Sequence, residues 1–147
     1  MNIDKLREEL KIDEGYKECI YLDHLELRTF GVGHLVTRAD PEWEYTVGHP
    51  VSTERCIDAF EDDIQIVLND CKNVYVFFND LPEEVQLIVA NMMFNMGRPR
   101  MQGFLKFKVA LANRDWKEAA LEMQDSRWYK QVTNRANRLI ERMNNID

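Results

Sequence analysis

The sequence predicts an α+β protein, mainly α, with a small N-terminal part that contains β structure followed by a larger helical part. Three observations predict it. Apolar residues recur at helical spacing over most of the chain beyond residue 51. The β-rich runs are short and confined to residues 19–36. Six glycines and four prolines in 147 residues, with 45% hydrophobic composition, suit a single compact domain with a real core.

The elements follow in order. Ile3, Leu6 and Leu10 form one helical stripe, with Asn2 as the expected cap and Gly15 the expected stop, so a helix is expected over 2–12. Cys19-Ile20-Tyr21-Leu22 and Leu27-Arg28-Thr29-Phe30-Gly31-Val32 read as the strands of a hairpin around Asp23-His24-Leu25-Glu26, although the usual Asn-Gly or Asp-Gly turn is missing. Residues 37–51 read as a loop or ragged strand. Ser52 is the expected cap of a long helix whose stripe is Cys56, Phe60, Ile64, Val67, Leu68 and Cys71, with Val51 stapled onto Cys56. A second helix opens near Pro82, runs through Val85 to Met96 and stops at Gly97; apolar nearly all round, it is expected at the centre of the helical part. Further helices are expected at 104–112, at 116–124 with an Asp115 cap, and at 134–145 with an Asn134 cap. The organisation expected is one domain over 1–147: a small lobe at about 13–51, a connecting helix at about 52–71, and a helical lobe at about 72–147 joined by the N-terminal helix.

Composition excludes several classes. A net charge of −7 argues against a nucleic-acid-binding module. No apolar run approaches the roughly 18 residues of a membrane span, and the charged, amphipathic start does not read as a secretory signal. Cys56 and Cys71 lie about 22 Å apart on one predicted helix, too far to bridge, and three cysteines suit a reducing compartment. The histidines at 24, 34 and 49 are scattered, so no metal site or cofactor is expected.

The chemistry lies around the hairpin. Glu14 ends the first helix, Asp23 begins the turn and Thr29 follows on the second strand. Two carboxylates in unequal surroundings can cleave a glycosidic bond, one donating a proton to the leaving oxygen and the other acting on water, with a nearby hydroxyl holding that water. The spacing alone is weak support, since it arises by chance about 0.04 times in a chain of this composition. Taken singly, a helix-end carboxylate, a turn aspartate and a β-forming threonine are by far the commoner explanations of the three residues.

Context strengthens the reading. Ile12-Asp13-Glu14-Gly15, Ile20-Tyr21-x-Asp23 and Thr29-Phe30-Gly31-Val32-Gly33-His34-Leu35 resemble the opening of the phage-type lysozymes, glycoside hydrolase family 24, with the nearest match among their T-even members. The resemblance resumes at Asn91-Met92-Met93-Phe94-Asn95-Met96-Gly97, at Gly103-Phe104, at Trp116-Lys117-Glu118-Ala119-Ala120 and over residues 126–136, and is weakest over 38–80. It implies the two-lobed lysozyme-like fold and inverting hydrolysis of the β-1,4 bond between N-acetylmuramic acid and N-acetylglucosamine in peptidoglycan. By the same resemblance Glu14 matches the general acid, and Asp23 and Thr29 match the pair that places water. His34 matches a buried histidine behind the site, and Arg135 an arginine beside the acid. Leu35, Phe94 and Asn95 match substrate-contacting residues. Phe107 and Glu122 occupy further such positions, where the T-even members have Ser and Asn. The residues themselves leave Phe94 equally explained by core packing, and make His34 a hydrogen-bonded structural residue before a catalyst.

The resemblance also implies an endolysin that is made in the host cytoplasm, acts on the wall as a monomer without inserting into the membrane, and reaches it through a hole made by another lysis protein. A non-hydrolytic wall-binding protein on the same fold and a lytic transglycosylase are the alternatives; retention of Glu14, Asp23 and Thr29 together favours hydrolysis. The acidic net charge is unexpected for an enzyme acting on an anionic wall. Arg98, Arg100, Lys106, Lys108 and Arg114 are the candidate local basic patch, against the commoner reading of a solvated face.

Overall fold

The computed structural model describes residues 1–147. Eight α-helices and one small antiparallel sheet make the α+β, mainly α, architecture of a lysozyme-like fold. Contacts divide the chain into two compact units, Arg7–Ile66 and Met1–Leu6 with Val67–Asp147. The expected organisation kept the first helix whole within the helical lobe; here the boundary cuts it between Leu6 and Arg7.

Helix α1, Ile3–Glu14, begins where the Asn2 side-chain oxygen accepts the N–H groups of Asp4 and Lys5 at 3.0 and 3.3 Å. It runs two residues beyond its expected end, to Glu14, because the Gly15 N–H still reaches the Lys11 carbonyl at 2.9 Å. Strands β1 Lys17–Leu22, β2 Arg28–Gly31 and β3 His34–Leu35 form the sheet in the order β1-β2-β3. Tyr21 pairs with Thr29, and Thr29 with Leu35; one position along, Phe30 pairs with His34. Because strand side chains alternate between faces, Tyr21, Thr29 and Leu35 form one row across the sheet. Ile20 and Phe30 pack in a core with Val36, Val51, Cys56 and Ala59.

The hairpin closes without glycine. Asp23 Oδ1 accepts the N–H groups of Leu25 and Leu27 at 2.8 and 2.9 Å, and Glu26 takes the left-handed conformation, φ 62°, that glycine usually supplies.

Residues 36–51 are held by strand-like pairing at their end and by charge in their middle: the Ile20 N–H donates to the His49 carbonyl at 2.9 Å, the Gly48 N–H to the Ile20 carbonyl at 2.7 Å and the Val51 N–H to the Glu18 carbonyl at 3.0 Å, with Cys19 bridging Pro50. They contain a 3-10 turn, Pro41–Glu44. Beside it Arg55 reaches Asp40 at 3.1 Å and the buried Glu42 at 2.9 Å. A buried carboxylate survives only with such a partner. Arg55 comes from α2, Thr53–Val74, which Ser52 caps by accepting the Arg55 N–H at 3.1 Å. Cys56 and Cys71 both lie on α2, and all three cysteines are free.

In the other unit, α3, Glu83–Met96, opens after Pro82 and ends at Gly97, and every residue from 85 to 93 is buried. Helices α4 Arg98–Gln102, α5 Leu105–Ala112, α6 Trp116–Gln124, α7 Arg127–Gln131 and α8 Thr133–Asn144 complete the unit. Asp115 caps α6 by accepting the Glu118 N–H at 3.1 Å. The expected Asn134 cap is corrected: α8 already begins at Thr133, its cap position is Val132, which has no side-chain acceptor and also ends α7, and the Thr133 hydroxyl donates to the Tyr129 carbonyl at 2.8 Å. No helix is long and apolar enough to cross a membrane.

Candidate active site

Within the unit Arg7–Ile66 the candidate catalytic residues come from three consecutive elements. Glu14 is the last residue of α1, which Arg7 fixes to α2 through a two-pronged ion pair with Glu61 at 2.7 and 2.9 Å. Its side chain lies against the backbone of Gly33. A Cβ on Gly33 would stand 2.8 Å from Glu14 Oε1, 2.9 Å from Cγ and 3.0 Å from Cβ, and φ there is +60°. Only glycine meets both conditions, so Gly33 fixes how closely the β2–β3 turn approaches the candidate acid.

Asp23 follows β1. The two N–H groups that tie down Oδ1 hold the carboxylate against the hairpin and leave Oδ2 without a protein partner. Thr29 is 3% exposed, and its hydroxyl donates to the Leu27 carbonyl at 3.0 Å. That commits its proton and leaves Oγ1 to accept. The spacing of Asp23 and Thr29 thus has a local cause: both side chains bond into the same turn, one through the Leu27 N–H and the other through the Leu27 carbonyl.

Tyr21 joins this group although the residue spacing alone does not single it out. It is the cross-strand partner of Thr29, with Lys17 Nζ 4.6 Å from its ring centre. Burial first, then the charges of Glu14 and Asp23, push its phenol above its ordinary value, so both carboxylates act on one side chain. The pairing Tyr21–Thr29 becomes visible only once the register is known. Leu35, exposed, completes the row on the other side of Thr29.

His34 lies one residue along β3. Its Nδ1 is 2.7 Å from Asp63 and its Nε2 2.9 Å from Asp40. Burial alone would lower its pKa, but hydrogen bonds and charge from Asp63 and Asp40 together raise it. Asp40 is lowered: against burial stand the Thr37 N–H, His34 and Arg55. With both ring nitrogens engaged by carboxylates, His34 is a structural cross-link.

The remaining site candidates belong to the other unit. Phe94 and Asn95 are half-buried near the end of α3, and Asn95 Oδ1 accepts the Trp128 indole N–H at 2.7 Å. Arg135 is buried, with Nε donating to Asn91 Oδ1 at 2.9 Å. Glu122 is half-buried on α6 and lines a hollow of about 300 Å³ with Leu105, Lys106 and Val109. Phe107 is corrected: it is fully buried on the inner stripe of α5, tilted against Phe104 and edge-on to Tyr75, so it packs the core and does not face substrate. Of the candidate basic patch, Arg98 faces Asp70 at 3.7 Å and Lys106 shares its hollow with Asp115, Glu118 and Glu122, whereas Arg100 bonds the Gln131 side chain and Arg114 the Asp80 carbonyl, neutral partners that leave their charge in place.

A helix-end glutamate seated on a glycine turn, with a turn aspartate and a buried threonine on a hairpin of the same unit, puts two carboxylates and a hydroxyl on neighbouring elements. Residues 11–145 match the phage lysozyme family, and the chain belongs to that family. It is 30% identical over 157 residues to "Probable T4-type lysozyme 2" of Dictyostelium discoideum, an alignment that covers 94% of this chain and 92% of that protein. It is 31% identical to "Probable T4-type lysozyme 1" of the same organism with the same coverage. It is also 26% identical to "Pre-baseplate central spike protein Gp5" of Enterobacteria phage T4, covering 91% of this chain and 26% of that protein.

Proposed function

We propose that the protein is a muramidase that hydrolyses the β-1,4 bond between N-acetylmuramic acid and N-acetylglucosamine in peptidoglycan with inversion at the anomeric carbon. Membership of the phage lysozyme family supports a peptidoglycan hydrolase of the muramidase kind. The observation that carries the finer reading is the seating of Glu14 on Gly33 in the same unit as the Asp23–Thr29 hairpin. Glu14 donates its proton to the bridging oxygen as the bond from the anomeric carbon to that oxygen breaks. Water attacks the anomeric carbon from the opposite side, and Asp23 takes the proton it gives up. The Thr29 hydroxyl proton is committed to Leu27, so water bound to Oγ1 must donate to it, which leaves a water lone pair for attack. An inverting geometry requires about 6.5–9.5 Å between the two carboxyl groups.

Leu35, Phe94, Asn95 and Glu122 are the residues we assign to holding glycan, with Arg135 and His34 in support. We assign the activity to host-cell lysis, with synthesis in the cytoplasm and access to the wall through a hole made by another protein. The test is Glu14→Gln: the amide cannot donate the proton, so lysis of outer-membrane-stripped cells falls at least 100-fold while the thermal unfolding curve keeps its cooperativity. A folded Glu14→Gln protein with more than a tenth of the wild-type rate would overturn the assignment. NMR of the newly released end separates inversion from retention, and its mass separates hydrolysis from transglycosylation, whose anhydro product is lighter by one water.

A further inference from the structure

We propose that Arg28, Arg38 and Trp43 form an accessory site for the anionic group of a saccharide, a carboxylate or phosphate carried on a sugar ring. The Arg28 guanidinium stands 5.0 Å and the Arg38 guanidinium 5.8 Å from the centre of the Trp43 ring. The two positive groups are therefore at most about 11 Å apart, around an indole that is 39% exposed.

Neither arginine carries an ion pair. Arg28 Nη1 donates to the backbone carbonyls of Trp43 and Tyr45, which orients the guanidinium without cancelling its charge. Arg38 is exposed and has the indole as its contact. The carboxylates that would otherwise quench them are occupied: Asp40 by His34 and Arg55, and Glu42 by Arg55. Glu44 stands exposed beside Trp43 and bonds neither arginine. In a chain of net charge −7, these two arginines place uncancelled positive charge beside one exposed indole. Guanidinium forks match carboxylate and phosphate oxygens, and an exposed indole offers apolar surface to the C–H groups of a sugar.

The site is held before any ligand arrives. The 3-10 turn Pro41–Glu44 is anchored on one side by the Arg55–Glu42 pair and on the other by Arg28. It is distinct from the candidate active site. Arg28 precedes Thr29 on β2 and pairs with Leu22, so its side chain leaves the face opposite to the row Tyr21–Thr29–Leu35. An accessory anion site there would engage a separate acidic residue of a polymer. The choice of a saccharide rests on the wall-glycan function proposed above; the pairing of cations and indole does not.

The test follows the Trp43 indole N–H resonance in the 15N-labelled full chain, assigned with Trp43→Phe, at constant ionic strength. The probes are N-acetylmuramic acid, N-acetylglucosamine 6-phosphate, neutral N-acetylglucosamine and inorganic phosphate. Both anionic sugars are expected to shift Trp43 saturably while the Trp116 and Trp128 resonances stay in place. N-acetylglucosamine is expected to leave Trp43 unmoved, and Arg38→Ala to weaken the anionic sugars at least fivefold. The stronger of the two anionic sugars identifies the source, the glycan's own carboxylate or a phosphate on an attached polymer. No saturable shift, an equal response to the neutral sugar, or unchanged binding in Arg38→Ala would overturn the proposal. Inorganic phosphate binding as tightly as the sugar phosphate would mark an adventitious ion only and would also overturn it. No hydrolysis enters the readout, so an inactive enzyme leaves this result standing, and a silent Trp43 leaves the assignment of Glu14 untouched.

Discussion

Replacing His34 by Asn removes a ring that touches two carboxylates at once. The ring is 2.7 Å from Asp63 and 2.9 Å from Asp40, with side chains 14%, 21% and 13% exposed respectively. Breaking a buried ion pair from one side costs about 3–5 kcal/mol. Water still reaches part of all three groups and screens them, so the loss belongs at the lower end, about 3 kcal/mol. At about 2–4 °C per kcal/mol for a domain of this size, Tm should fall by about 6–12 °C.

The pH dependence carries a sign. His34 has a folded pKa raised above 6.5, so its contribution is fully present below pH 6.5 and is lost as pH rises through the folded value. Asp40 is lowered from 3.8, so its contribution is present above pH 3.8 and is lost as pH falls through its folded value. Both act together between pH 3.8 and 6.5. Urea unfolding of wild type and His34→Asn, followed by circular dichroism at pH 5.5, 7 and 9, should give the largest gap at pH 5.5 and a smaller one at pH 9. A gap below about 1 kcal/mol at pH 5.5, or one that widens as pH rises, would refute the reasoning.

Three further outcomes are expected. Gly33→Ala, which sets a Cβ 2.8 Å from Glu14 Oε1 at φ +60°, should lower lytic activity about 100-fold and stability by about 1–2 kcal/mol; turbidity assays and thermal melts read the two separately, and unchanged activity would place Glu14 outside the chemistry. Glu26→Gly should raise stability by up to about 1 kcal/mol, because Glu26 holds φ 62°, with unfolded-chain entropy offsetting part of the gain; a loss above 1 kcal/mol in urea titration would contradict that. Raising salt from about 0.01 to 0.15 M shortens the Debye length from about 30 to 8 Å, so initial rates on whole walls should rise for a chain of net charge −7, and less so on a soluble neutral fragment; a steady fall on walls would give control to a local positive site.

Much of the fold was legible because periodicity and caps act locally. Asn2, Ser52 and Asp115 cap the helices expected of them, and α3 is buried as its all-round apolar sequence requires. Helices α4 and α7 were not legible, since five residues are too few to display a period. Residues 36–51 were not either: their conformation depends on Arg55, 15 residues from Asp40, and on pairing of residues 48–51 with β1 about 30 residues earlier. The same limit applied to the candidate site. Glu14, Asp23 and Thr29 stand in a recognisable pattern, whereas the place of Tyr21 depends on strand register and the burial of Phe107 on which stripe of α5 faces inward.

The charges of the β-containing unit can be followed as one connected set. Asp63, His34, Asp40, Arg55 and Glu42 alternate in sign through contacts of 2.7 to 3.1 Å, so four of its carboxylate and cationic partners are satisfied inside the fold around one histidine. That chain has two ends with different consequences. At His34 it fixes the strand that places Leu35 across from Thr29, next to the candidate acid's glycine turn. At Glu42 it fixes the turn that carries Trp43 and takes up the carboxylates that would otherwise neutralise Arg28 and Arg38. Net charge governs approach over a Debye length, whereas these arginines act at contact. An acidic chain can thus be repelled by an anionic wall at long range and still hold one of its acidic groups at short range, and salt weakens the first effect before the second.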